Sequence, residues 1–168
     1  MPKTDTNQHV VVKGKTFEPF LTQETIQNRI KELCVRIDEH YAGKRPILIG
    51  LLNGSFRIMA DVVTYLNIPC EISFVKIKSY VGDTSGKIEM PLGVNADIEG
   101  RDVILIEDIV DTGKTLSFFI PQLKESKPKS VALFTLLVKP DAMQHEVKMD
   151  YVGFAVPNHF LLGYGLDY

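Results

Sequence analysis

The chain has 168 residues, 45% hydrophobic and 24% charged, the balance of one ordinary globular domain with its own core. Nineteen Lys and Arg against 21 Asp and Glu leave a formal charge of −2, so no global positive field draws in nucleic acid or an anionic membrane, and a phosphate ligand must be held locally. No apolar run reaches the roughly 20 residues that cross a bilayer, and the start MPKTDTNQHV lacks the apolar core of a signal peptide; the expectation is a soluble, cytoplasmic protein.

In chain order, residues 22–40 place Ile26, Ile30, Leu33 and Ile37 at helical spacing, with Thr22 and Glu24 or Thr25 as capping candidates. ILIGLL at 47–52 is a short continuous apolar run suited to a strand covered on both faces, and Asn53-Gly54 ends it. Helical spacing returns over 56–66, closed by Ile68-Pro69. EISFVKIK, 71–78, reads as a strand, and Ser79 to Lys87, rich in Gly, Ser, Asp and Thr, as a mobile loop. Val103 to Ile106 reads as a strand, a polar loop dominated by acids follows, and residues 115–123 read as a helix despite Pro121. VALFTLLV, 131–138, is a third buried-strand run, and a β-rich section finishes the chain from 151.

Strands alternating with helices predict an α/β domain with a mainly parallel twisted sheet flanked by helices. Ligands in such sheets sit beyond the carboxyl ends of the strands. Three such places are polar: Asn53-Gly54, Glu107 to Thr115, and Lys139. DTGKT can turn backbone N–H groups, one ammonium and two hydroxyls toward an anion at a helix start. It is not a Walker A loop, which would need Gly where Asp108 stands. Glu107 and Asp108 repel phosphate directly but accept from sugar hydroxyls and bind Mg²⁺, so a ribose phosphate carrying Mg²⁺ satisfies both halves of the segment. Cys34 and Cys70 lie far apart and read as space-filling, and the four histidines lack zinc-ligand spacing.

EDIVDTGKT preceded by VILI resembles the 5-phosphoribosyl-1-pyrophosphate signature of the type I phosphoribosyltransferases. LLNGSFRIMAD, TLLVKP and VGFAVPNHFLLGYGLDY resemble, in order and spacing, the hypoxanthine-guanine phosphoribosyltransferases, and the likeness runs from about residue 15 to the end.

The resemblance implies a cytoplasmic purine salvage enzyme that moves the 5-phosphoribosyl group of phosphoribosyl pyrophosphate to N9 of hypoxanthine, and of guanine, with Mg²⁺, as a homodimer or homotetramer. It implies a single domain over 1–168 with a small hood built from the chain ends, 151–168 being its C-terminal part, and a mobile active-site loop at 79–87. By motif, Glu107 and Asp108 would meet the ribose hydroxyls and Mg²⁺, with Asp167 a further metal-linked carboxylate. Asp111 would serve as general base beside the purine, and Asp111, Thr112, Gly113, Lys114 and Thr115 would hold the 5-phosphate. Lys139 would donate to the 6-oxygen, Phe160 would stack on the purine, and Leu161 would read its edge. Leu52, Asn53 and Gly54 would meet pyrophosphate around a cis peptide, and Ser79 and Tyr80 would close over the reaction.

Two departures stand out. The family most often has Lys where this chain has Asn53, and it usually continues past LDY, where this sequence stops at Tyr168, with a segment whose Arg helps bind pyrophosphate. The alternatives are a xanthine- or guanine-preferring relative and a non-catalytic phosphoribosyltransferase-like regulator.

Overall fold

A computed structural model of the chain describes residues 9–79, 88–92 and 96–166. The elements are β1 (Val10–Val12), β2 (Lys15–Phe17), α1 (Gln23–His40), β3 (Ile47–Leu52), α2 (Phe56–Tyr65), β4 (Glu71–Ser79), β5 (Ile88–Leu92), β6 (Asp102–Val110), α3 (Lys114–Glu125), β7 (Ser130–Val138) and β8 (Tyr151–Ala155). Helix α1 starts where Thr22 Oγ1 accepts from the Thr25 amide at 3.1 Å, a side-chain N-cap.

Six strands form one sheet in the order β5-β4-β3-β6-β7-β8, parallel except for β5. Ile26, Ile30, Leu33 and Ile37 of α1 and Ile58, Met59 and Val62 of α2 bury against one face, and Leu116, Phe119 and Leu123 of α3 against the other. The result is three layers, as the sequence pattern predicts. Burial, with Asp38 as a secondary cause, pushes the Cys34 thiol up to about 12, so this cysteine packs as a small apolar group.

Along the chain β4 lies outside β3 on one side, while β6, β7 and β8 follow on the other, so the order of winding reverses between β3 and β6. There the ladder stops at Gly50–Ile106. Each strand runs on with its outer neighbour, Leu52 beside Lys76 and Val110 beside Val138. The two central strands therefore splay at their carboxyl ends and open a crevice at the topological switch point.

One expectation is corrected here. The acids after Ile106 are not loop: β6 continues through Glu107, Asp108 and Ile109 to Val110, because β7 runs alongside to Val138. The ladder skips Asp108–Leu136 between β6 and β7, and Leu136–Gly153 between β7 and β8. Side-chain faces reverse at that level: Ile104, Ile106 and then Ile109 face α1 and α2, whereas Val103, Leu105 and then Val110 face α3. The alternation is thus interrupted at one level across three adjacent strands without a change of register. Gly153 accommodates it, since a Cβ there would strike the Leu136 carbonyl.

The sequence reading missed three short strands. β1 and β2 form an antiparallel hairpin, and β5 is an antiparallel edge strand on β4. The hairpin meets the C-terminal segment where the Phe17 and Phe160 rings lie 6.1 Å apart at 54°. Ser79 ends β4; Tyr80, the rest of the loop through Lys87, and Asp167 lie outside the described residues.

Candidate active site

The crevice is a cleft of about 340 Å³ lined by Leu52, Asn53 and Gly54 after β3, by Glu107, Asp108, Ile109, Asp111 and Thr115, by Lys139 after β7, and by Phe160, Leu161 and Leu166. With Ile77 of β4, residues from five separate stretches of chain thus converge at one end of the sheet. A smaller recess of about 110 Å³ opens beside it, formed by Glu107 and residues 109–116.

The Leu52–Asn53 peptide is cis, as the resemblance implies. Gly54 then passes so close to Asp108 that a side chain on it would overlap the Asp108 carboxylate. Asp108 is 7% exposed and its Oδ1 accepts from the Ile109 amide at 2.9 Å. Beside it, Glu107 Oε2 is buried with no hydrogen-bond partner. Burial first, and Asp108 second, raise its carboxyl well above the usual glutamate range. A buried, unpartnered carboxylate oxygen is costly, and it is satisfied once a hydroxyl or a cation arrives.

Residues 111–113 join β6 to the start of α3. Gly113 has φ +76° and occupies the position before α3, and a Cβ on it would strike the His145 carbonyl. Only glycine suits both the left-handed backbone and the close approach. The Thr112 carbonyl accepts from the Gln144 and His145 amides at 3.0 Å each, tying the loop to the chain beyond β7. Thr112 through Thr115 therefore lead into a twelve-residue helix whose first amides have no intrahelical acceptor.

Across the cleft, Lys139 is 8% exposed and its Nζ donates to Asp111 Oδ2 at 3.3 Å. Its backbone N–H donates to the Val110 carbonyl at 2.9 Å, which fixes the end of β7 against β6. Phe160 is half exposed, and Lys15 Nζ sits 5.3 Å from its ring centroid. Ile109 lines the same cleft and was missed as a site residue; its signal was an apolar residue set between acids in EDIVD.

At the Asn53 departure the neighbouring cation is Lys76 of β4, whose Nζ donates to Asn53 Oδ1 at 3.2 Å. Arg57, the cation nearest to Asn53 in sequence, instead faces Asp61 at 3.6 Å.

A mainly parallel sheet with this crevice, a glycine turn at a helix start and paired acids beside it defines a phosphoribosyltransferase architecture. The sequence matches the phosphoribosyl transferase domain family over residues 20–168, and the chain belongs to that family. A hypoxanthine-guanine phosphoribosyltransferase of Bacillus subtilis is 38% identical over 151 residues, spanning 89% of this chain and 84% of that protein. The bifunctional protein TilS/HprT of Listeria monocytogenes is 41% identical over 151 residues, again 89% of this chain but 23% of that protein, so the chain spans less than a quarter of that relative's length. A solved hypoxanthine phosphoribosyltransferase from Staphylococcus aureus superposes with a TM-score of 0.86 at 37% identity, over 90% of this chain and 83% of that one.

Proposed function

We propose that this chain transfers the 5-phosphoribosyl group of phosphoribosyl pyrophosphate to N9 of a 6-oxopurine, hypoxanthine and also guanine, releasing pyrophosphate and serving purine salvage in the cytoplasm. The observation that carries this reading is the Lys139–Asp111 pair, 3.3 Å apart, facing Phe160 beside an anion loop. The 6-oxygen and N7 are neighbours on one purine edge. A donor and an acceptor side by side match an oxygen that accepts and an imidazole nitrogen that gives up a proton. Adenine presents a 6-amino donor to an ammonium that can only donate, and is disfavoured.

In this reading the bond from ribose C1 to a pyrophosphate oxygen breaks, its electron pair leaving with pyrophosphate. The C1–N9 bond forms, and the imidazole proton passes to the Asp111 carboxylate. Residues 112–115 hold the 5-phosphate by N–H groups and hydroxyls at the start of α3. Asp108 and Glu107 accept from the ribose hydroxyls, relieving the stranded Glu107 oxygen. Phe160 covers the purine against Ile109, and Leu161 reads its edge. Lys76, held by Asn53, places positive charge by the pyrophosphate loop; Lys76→Ala should raise KM for phosphoribosyl pyrophosphate about 3–10-fold and leave that for the purine unchanged in steady-state kinetics.

Mg²⁺ fits this site as a guest of the substrate. Among the described residues no group of three or more His, Cys, Asp or Glu could cage a metal. Two adjacent carboxylates, one with a buried oxygen lacking a partner, suit an ion that keeps waters and takes its remaining ligands from phosphate. When bound, it would neutralise charge developing on the leaving pyrophosphate.

The test is nucleotide formation from phosphoribosyl pyrophosphate with hypoxanthine, guanine, xanthine and adenine in parallel; no product from any 6-oxopurine ends the proposal. Lys139→Gln should cut kcat/KM for hypoxanthine about 10–100-fold and narrow its margin over adenine, and wild-type selectivity in that variant would remove Lys139 from the pocket. Asp111 is half exposed, so Asp111→Asn should lower kcat about 10–100-fold with the melting temperature nearly unchanged. The resemblance further supports a homodimer or homotetramer, which sedimentation measures.

A further inference from the structure

The segment that closes the cleft, Phe160 to Leu166, is in neither helix nor strand. Its turn has three consecutive residues in left-handed backbone, Gly163 at φ +99°, Tyr164 at +54° and Gly165 at +89°. Within the turn, the Leu166 amide donates to the Gly163 carbonyl at 3.1 Å. A loop of this kind needs external support to hold side chains to the precision a binding site demands.

The support comes from α2. Asp61, mostly buried, accepts on Oδ2 from the Tyr164 hydroxyl and from Gln27 Nε2 at 2.7 Å, while Arg57 Nε lies 3.6 Å away. Gln27 is itself fixed, because its Oε1 accepts from the Tyr65 hydroxyl. The Arg57 guanidinium stands 5.5 Å from the Tyr164 ring centroid. Gly165 packs on the start of α2: a Cβ there would meet the Phe56 ring and Arg57 Cβ at 3.2 Å and the Gly54 carbonyl at 3.3 Å. One carboxylate thus ties α1, α2 and the C-terminal turn together, and the same turn touches the loop at Gly54.

We propose that Asp61 is a positioning residue for purine recognition: by clasping Tyr164 it sets the place of Phe160 and Leu161 relative to the loop at Gly54. This rests on the reading that Phe160 and Leu161 contact the purine. Neither residue lines the 340 Å³ cleft; Tyr164 borders the adjoining cavity of about 430 Å³ beside Phe160 and Leu161, whereas Asp61 lines neither and so acts through the turn. Burial and the Asp61 carboxylate both hold the Tyr164 hydroxyl in its protonated form, which keeps it a donor.

The experiment is steady-state kinetics with hypoxanthine and phosphoribosyl pyrophosphate varied separately, on the wild-type chain and on Tyr164→Phe, Asp61→Ala, Asp61→Asn and Phe160→Ala. Tyr164→Phe and Asp61→Ala should raise KM for hypoxanthine about tenfold and that for phosphoribosyl pyrophosphate less than about twofold. Asp61→Asn, which keeps an acceptor for the tyrosine, should bring KM for hypoxanthine back within about threefold of wild type. Tyr164→Phe keeps the ring and its packing, so it decides the matter if Asp61→Ala does not fold. The clasp is overturned if Phe160→Ala weakens purine binding while Tyr164→Phe does not, if both KM values rise together, or if Asn fails to rescue. A wild-type chain without turnover, or Phe160→Ala with an unchanged KM for hypoxanthine, instead overturns the underlying reading, and the clasp's role with it.

Discussion

Glu107→Gln is expected to yield a protein more stable than the native chain at neutral pH and a far poorer catalyst. The Glu107 carboxyl lies well above the ordinary value of 4.5, chiefly through burial and then through Asp108. A carboxyl raised on folding binds its proton more tightly in the native state. Its favourable contribution is therefore complete below the ordinary value and is lost as pH rises through the native one. An uncharged amide of the same shape does not incur that loss. The melting temperature of the variant should exceed wild type by at least about 2 °C at pH 7–8, with the gap closing as pH falls toward 4.5. Replacing a carboxyl that can ionise when ribose hydroxyls and Mg²⁺ bind by an amide that cannot should lower kcat/KM for phosphoribosyl pyrophosphate about 10–100-fold. A variant that melts below wild type at pH 8 would contradict this account of Glu107.

Gly54→Ala should be the most damaging small substitution in the crevice. Its methyl group would fall on the Asp108 carboxylate, which is 7% exposed and already engaged with the Ile109 amide. Either the loop after β3 withdraws or Asp108 turns away, and both separate groups proposed to hold one substrate. Displacement of about 1 Å is enough to cost about 100-fold in kcat/KM, against a stability loss of about 1–3 kcal/mol from overpacking. Gly100→Ala supplies the contrast. Its backbone is left-handed at φ +69°, yet nothing lies within 4 Å of an added Cβ, so it should lose stability and keep its turnover. Equal activity losses in the two variants would show that the Gly54 effect is general destabilisation.

The layers were legible because apolar spacing reports them directly: Ile26, Ile30, Leu33 and Ile37 are all buried as their helical period requires. DTGKT was legible as a turn into a helix start because its glycine and its polar residues are local to a few consecutive positions. What escaped was whatever depends on neighbours distant in sequence. Glu107 and Asp108 belong to a strand because β7 runs beside them, and no property of EDIVD itself announces that. The three-residue strands β1 and β2 are too short for an alternation to register. The Lys139–Asp111 pair spans 28 residues and the Tyr164–Asp61 contact 103, and Lys76 meets Asn53 only because β4 lies alongside β3.

The irregular row through β6, β7 and β8 decides which wall of the sheet the recognition groups belong to. In strands that alternate without interruption from Ile104 and Phe134, Ile109 would face α3, and the chain leaving β7 would aim Lys139 there as well. Because the faces reverse at Asp108 and Leu136, Ile109 and Lys139 instead share the side occupied by Phe160 and Leu161. The side of the sheet on which the proposed purine pocket lies is thus set within strand interiors, several residues before the loops that line it.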